Sequence, residues 1–125
     1  MTVNARITVL LTLGLLVLPG CDLFGNDAVI VRGMVIDATT GQPLSGVRVE
    51  LETGGSFGST PDRLDSERTS SDGTYELETV PEDCLGLFSG LHVAAFSDAY
   101  GYQSAGAECE SGTQVVNIEM TPRPL

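Results

Sequence analysis

The chain has 125 residues, room for one domain of ordinary size and none for a second catalytic domain beside it. Six cations, all arginine, stand against 17 carboxylates, for a formal charge of -11, and tryptophan is absent. So acidic a chain offers no basic face to displace phosphate counterions, and nucleic acid is not an expected partner.

Twelve of the first 20 residues are apolar, and after Arg6 the run from Ile7 to Leu18 carries no charge. Twelve helical residues cover about 18 Å of a hydrocarbon core of roughly 30 Å, so residues 1–20 read as a signal peptide and not as a permanent span. Leu18-Pro19-Gly20-Cys21 follows. It resembles the lipobox of bacterial lipoproteins, in which a small residue precedes a cysteine whose thiol is acylated before cleavage. The resemblance implies lipidation of Cys21 and a mature chain carrying five arginines and 17 carboxylates. It also implies attachment to a membrane of the bacterial cell envelope, with the body facing the periplasm or the exterior. Two or more acyl chains give stable anchoring, since each buried methylene contributes about 0.8 kcal/mol. Residues 21–27 are then a short tether.

Beyond residue 27 the chain alternates with period 2 in short runs separated by Gly, Pro, Asp and Ser clusters, which predicts an all-β domain over 28–122 and a tail over 123–125. Ala28–Ile36 is apolar on both faces apart from Arg32, the pattern of a strand with little solvent contact. Asp37 to Gly41 suits a turn with a side-chain acceptor at its start and glycine where φ must be positive. Pro43-Leu44 with Gly46 lets the chain change sheets, Leu44 covering one end of the core. Val47, Val49 and Leu51 should face inward, with Arg48, Glu50 and Glu52 on a charged outer face. Residues 53–65 read as the one long loop. A strand over 66–71 and an Asp72-Gly73 hairpin turn lead to inward Tyr75 and Leu77, and Val80-Pro81 closes that strand. Residues 82–89 connect to a strand over 91–97, Tyr100-Gly101-Tyr102 turns into a strand over 103–109, and Val116, Ile118 and Met120 form the last inward set. Tyr75 and Tyr102 are expected to bury their rings. Seven short strands in about 100 residues indicate a two-sheet Greek-key-type sandwich.

Cys84 and Cys109 remain after Cys21 is assigned. An even pair in an exported chain favours a disulfide, with two free thiols as the alternative. A structural zinc site fails on count, because two thiols and the single histidine, His92, leave a ligand short.

Gly33-Met34-Val35-Ile36-Asp37 followed by Thr40-Gly41-Gln42-Pro43-Leu44-Ser45-Gly46-Val47-Arg48-Val49 resembles the opening of the carboxypeptidase regulatory-like domain, a transthyretin-like sandwich of seven strands. Thr69 to Tyr75, ending Asp72-Gly73-Thr74-Tyr75, is similar to the family's second signature. Val80-Pro81, Gly101-Tyr102 and Val116 to Pro122 match later landmarks in order. The resemblance covers about Val29 to Pro122 and implies a non-catalytic module that binds proteins or carbohydrate.

The requirements of enzymes on related folds are not met by the residue inventory. Hydroxyisourate hydrolases carry several histidines and a terminal Tyr-Arg-Gly-Ser, where this sequence reads Pro122-Arg123-Pro124-Leu125. Intradiol dioxygenases hold iron with two histidines and two tyrosines, and His92 is the sole histidine. His92 alternates with Leu91 and Val93, which places it on the outward side of a strand, with no nucleophile elbow beside it. Asp62, Asp65 and Glu67 are the one acidic cluster that could offer oxygens to Ca²⁺, against the plainer reading of a solvated loop. The expected protein is therefore not an enzyme and needs no cofactor. It is a lipid-anchored envelope module that contacts a protein or glycan through sheet edges or the loops at 53–65 and 84–90. Phe57, Phe88, Phe96, Tyr100 and Tyr102 are its available aromatics. A small-ligand or calcium-binding lipoprotein is the alternative, and a small hydrolase ranks below it.

Overall fold

The computed structural model describes residues 27–54, 60–86 and 90–124. The leader, Cys21 and most of the tether lie outside the described residues, as do Phe57 and Phe88. The described residues form eight strands: β1 (Val29–Asp37), β2 (Arg48–Gly54), β3 (Pro61–Arg68), β4 (Thr74–Thr79), β5 (His92–Ser97), β6 (Gly101–Gly106), β7 (Gly112–Val115) and β8 (Ile118–Met120). One helical turn, α1 (Pro81–Cys84), lies between β4 and β5. The strands make an all-β sandwich of two four-stranded sheets, one ordered β4-β1-β7 with β8 also on β1, the other ordered β3-β2-β5-β6.

Alternation builds the core. Val29, Val31 and Val35 on β1 meet Val49 and Leu51 on β2, Leu77 on β4 and Val93 on β5, all fully buried, with Ile118 and Met120 closing the layer from β8. Burying such side chains stabilises the fold by about 1.5–3 kcal/mol each relative to exposure. The other face of β1 is open to solvent, where Arg32 and Met34 are exposed, so this strand is covered on one side only. Its apolar composition predicted two covered faces; among the described residues no layer covers the second.

β7 and β8 lie along the same side of β1, parallel to it, and replace the single last strand expected from the sequence. The break falls opposite Gly33, where a Cβ would stand 1.9 Å from the Val116 carbonyl oxygen. That carbonyl accepts the Tyr75 hydroxyl at 2.5 Å, and the Asn117 side chain accepts the Met34 N–H at 3.0 Å in place of a ladder bond. Burial of Tyr75 pushes its phenol well above the ordinary range.

The turn after β1 follows its sequence closely. Asp37 Oδ1 accepts the N–H groups of Thr39 and Thr40 at 2.7 and 3.1 Å, and Gly41 adopts φ +76°. Leu44 donates its N–H to Val35 at 2.9 Å and packs on the core, and the chain passes to the second sheet. The return crossing differs from expectation. β3 ends at Arg68 and pairs with β2, not β4, so Ser70 to Gly73 turns between sheets and is not a two-residue hairpin. Buried Thr69 secures that crossing by accepting the Val47 N–H at 2.9 Å and donating to the Leu44 carbonyl at 2.6 Å.

β3 also begins inside the stretch read as loop, at Pro61. Its charged composition hides the strand signal, because an edge strand bearing Asp62, Arg63, Asp65, Glu67 and Arg68 has no apolar run to reveal it. β6 starts at Gly101 and ends at Gly106, two residues earlier at its start and three at its end than the composition suggested. Residues Asp98 to Tyr100 make the turn before it. Tyr102 is 53% exposed, contrary to its expected burial, whereas Tyr75 is buried as expected and Tyr100 packs against the core from the turn.

α1 brings Cys84 to 1% exposure, and a disulfide joins it to Cys109 with Cα atoms 5.8 Å apart. Among the described residues no helix is long and apolar enough to cross a membrane.

Candidate binding surface

The outer face of the β3-β2-β5-β6 sheet collects the polar and aromatic residues that the core does not use. Register sets them in rows. Arg68, Arg48, Phe96 and Tyr102 stand side by side across β3, β2, β5 and β6. Ser66, Glu50, Ala94 and Ser104 form the next row, and Arg63, Glu52, His92 and Gly106 the one after.

Glu50 and Glu52 were expected on a solvated face, and they do point outward. Yet they are only 7% and 8% exposed. Neighbouring side chains cover them: Glu50 Oε2 pairs with Arg48 Nε at 3.2 Å and Arg63 at 3.5 Å, while Glu52 Oε1 lies 3.2 Å from His92 Nε2. Burial raises the Glu52 carboxyl above its ordinary value, the adjacent Glu50 carboxyl reinforces the rise, and His92 opposes it. His92 takes the outward position that alternation assigns to it. Its other ring nitrogen, Nδ1, is 3.1 Å from the Gly90 carbonyl oxygen, so the described partners of the imidazole are a carboxylate and a carbonyl and include no hydroxyl nucleophile.

In the first row Arg48 lies over the Phe96 ring, 4.6 Å from its centroid, and Phe96 meets Tyr102 edge to face at 5.2 Å. A groove of about 420 Å³ opens here, lined by Arg48, Arg68 and Phe96 and by Gly46, Ser97 and Asp98. Arg68 donates to the Gly46 carbonyl at 2.9 Å. A second hollow of about 490 Å³ on the opposite sheet lies around Met34, Val115 and Asn117, where Arg32 is already paired with Glu76 at 3.9 Å.

The candidate calcium ligands Asp62, Asp65 and Glu67 are on β3, not in a loop, and Asp65 and Glu67 face a strand edge. Asp65 Oδ2 accepts the Glu78 N–H at 2.8 Å and Glu67 Oε1 accepts the Glu76 N–H at 3.2 Å, so the two carboxylates cover the outer edge of β4. Among the described residues no group of three His, Cys, Asp or Glu side chains is disposed to hold a metal ion.

The four sheet edges differ in their protection. β3 is charged and starts with proline, β4 is capped by Asp65 and Glu67, and β7 with β8 is short and interrupted. β6, with the sequence GYQSAG, carries no charge and no proline, and Tyr102, Gln103 and Ser104 are exposed. Among the described residues its one hydrogen-bonded partner strand is β5, and Arg123 of the tail lies against Gly101 at its start. Sequence reasoning named sheet edges in general and could not single out β6, because capping of the rival edges depends on contacts between strands of different sheets.

No family model and no curated protein matches the sequence. Among solved structures, the chain is similar to 3-chlorocatechol 1,2-dioxygenase from Rhodococcus opacus at 17% identity and a TM-score of 0.53, covering 79% of this chain and 61% of that one. It is similar to the major plantain pollen allergen Pla l 1 at 12% identity and a TM-score of 0.52, covering 77% and 94%. It is also similar to a "putative carbohydrate binding protein" from Bacteroides uniformis at 16% identity and a TM-score of 0.50, covering 78% and 43%. The chain thus spans less than two thirds of the length of the dioxygenase and of the Bacteroides protein, and what it shares with all three is the sandwich fold.

Proposed function

We propose that this protein is a non-catalytic, lipid-anchored module of the bacterial envelope, built on a carboxypeptidase regulatory-like sandwich and tethered through Cys21, that engages an envelope partner. The observation that carries the interaction role is the β6 edge, which among the described residues pairs with no second strand, although Arg123 of the tail lies against Gly101 at its start. Sandwich proteins guard exposed edges with charge, brevity or side-chain caps, as this one does on its three other edges. An uncharged strand that among the described residues pairs on one side alone, in a chain of charge -11, is suited to receive an extended segment of another protein by strand addition along Tyr102 to Ser104. The sandwich fold shared with a carbohydrate-binding-type protein is compatible with a binding role. The anchor is supported by the apolar leader and the Leu18-Pro19-Gly20-Cys21 segment alone.

Two measurements test this reading. Mass spectrometry of the membrane fraction should find the chain starting at an acylated Cys21, and Cys21→Ala should leave it unacylated. A photo-crosslinker at Gln103 should trap one specific envelope protein in cells, and paired Gln103→Lys and Ser104→Lys substitutions with the crosslinker moved to Tyr102 should abolish it. An unacylated wild-type chain, or crosslinks indifferent to the edge lysines, would overturn the anchor and the edge respectively.

A further inference from the structure

We propose that the groove between Arg48, Arg68 and Phe96 is a binding site for an acidic saccharide, with the carboxylate of a uronic acid residue held by the two arginines. Arg48 and Arg68 are register partners on adjacent strands. Like charges directly opposite one another destabilise a sheet. In a chain with six cations against 17 carboxylates, setting two arginines face to face is an arrangement that an intervening anion stabilises.

The remaining walls distinguish among anions. Arg48 is shared with Glu50 and stacked on Phe96, which fixes its fork, while Arg68 has no carboxylate partner among the described residues and is exposed. Guanidinium forks match a planar carboxylate in a bidentate fashion. Asp98, exposed on the same groove, disfavours a multiply charged inorganic anion and accepts hydrogen bonds from hydroxyl groups, and Ser97 lies beside it. Phe96, half-buried with Arg48 over its ring, is the apolar wall of the groove available to the C–H face of a sugar ring. One cationic fork, one acceptor for hydroxyls and one aromatic wall in about 420 Å³ correspond to the carboxylate, the hydroxyls and the C–H face of a uronic acid. This site is on the sheet face and does not involve the outer edge of β6, so it stands or falls separately from the partner reading.

The test is calorimetric titration of the full chain in detergent with trigalacturonate and, in parallel, with neutral galactotriose. Trigalacturonate should bind saturably, with galactotriose weaker by about tenfold or more, the worth of a charge-assisted hydrogen bond. Arg68→Ala should weaken trigalacturonate by about the same factor while Arg68→Lys recovers part of the loss, with the urea midpoint of each variant confirming an intact fold. Equal affinity for the acidic and neutral trisaccharides, no binding of trigalacturonate by the wild-type chain, or displacement by equimolar sulfate would overturn the proposal. The comparison of the two trisaccharides needs no variant.

Discussion

The Tyr100 hydroxyl donates to Asp37 Oδ2 at 2.6 Å, joining the end of β1 to the turn before β6 across 63 residues of sequence. Asp37 belongs to one sheet and Tyr100 to the loop of the other, so this bond, with the packing of Tyr100 on the core and the Arg123 N–H to Ala99 carbonyl bond, ties the two layers at that end of the sandwich. The other carboxylate oxygen of Asp37 is spent on the Thr39 and Thr40 amides, and the buried carboxylate is therefore fully occupied.

The Tyr100 hydroxyl, followed by those amides, holds the Asp37 carboxyl below its ordinary range. A lowered folded-state value means the unfolded chain binds more protons in the window between the two values, so the resulting stabilisation is complete above about pH 4 and is lost as pH falls through the folded-state value. Tyr100→Phe should lower the urea midpoint at neutral pH without changing the slope of the transition. It should also flatten the loss of stability on acidification. Urea titrations at several acidic pH values check both effects.

Glu52 has the opposite sign. Its folded-state value is raised, first by burial and then by Glu50, against the opposing pull of His92, with Arg63 opposite it on β3. The folded chain then holds the proton longer than the unfolded one, and stability falls as pH rises from about 4.5 through the raised value. Glu52→Gln should remove that decline while its amide keeps a hydrogen-bonding group towards His92 Nε2. The expected outcome is a stability difference between variant and wild type that grows in favour of the variant over this window, read by denaturation at fixed ionic strength.

Gly33 is required by close approach and not by its backbone angles. Because a Cβ there would collide with the Val116 carbonyl, Gly33→Ala should cost about 1–3 kcal/mol as overpacking, and it should disturb the Tyr75 bond to the same oxygen. At Gly46 a methyl group would meet open space, so only the strain of φ +73° opposes Gly46→Ala. Equal losses at the two sites would refute the collision argument.

The Cys84–Cys109 bond closes a loop across 25 positions that contains β5 and β6. Replacing both residues by alanine should destabilise the fold by about 3 kcal/mol through the freed unfolded chain. Thermal melts of the wild type with and without reductant should reproduce the difference between wild type and variant.

Local chemistry was enough for part of this protein. The leader and its cysteine, the period-2 runs, the Asp37 to Gly41 turn, the pairing of the last two cysteines and the outward place of His92 are all written in neighbouring residues, and the structure agrees with the last four. The leader itself rests on sequence alone. Alternation reports which way a side chain points, but it carries no information about what will lie against it. That is why Glu50 and Glu52 read as solvated and are buried, why Tyr100 and Tyr102 exchange their expected roles, and why β3 was hidden in an acidic stretch. The capped β4 edge, the open β6 edge and the facing pair Arg48 and Arg68 exist only after strands distant in sequence have been set side by side. Partner choice among strands is a long-range competition between whole faces, and only the tertiary structure decides it.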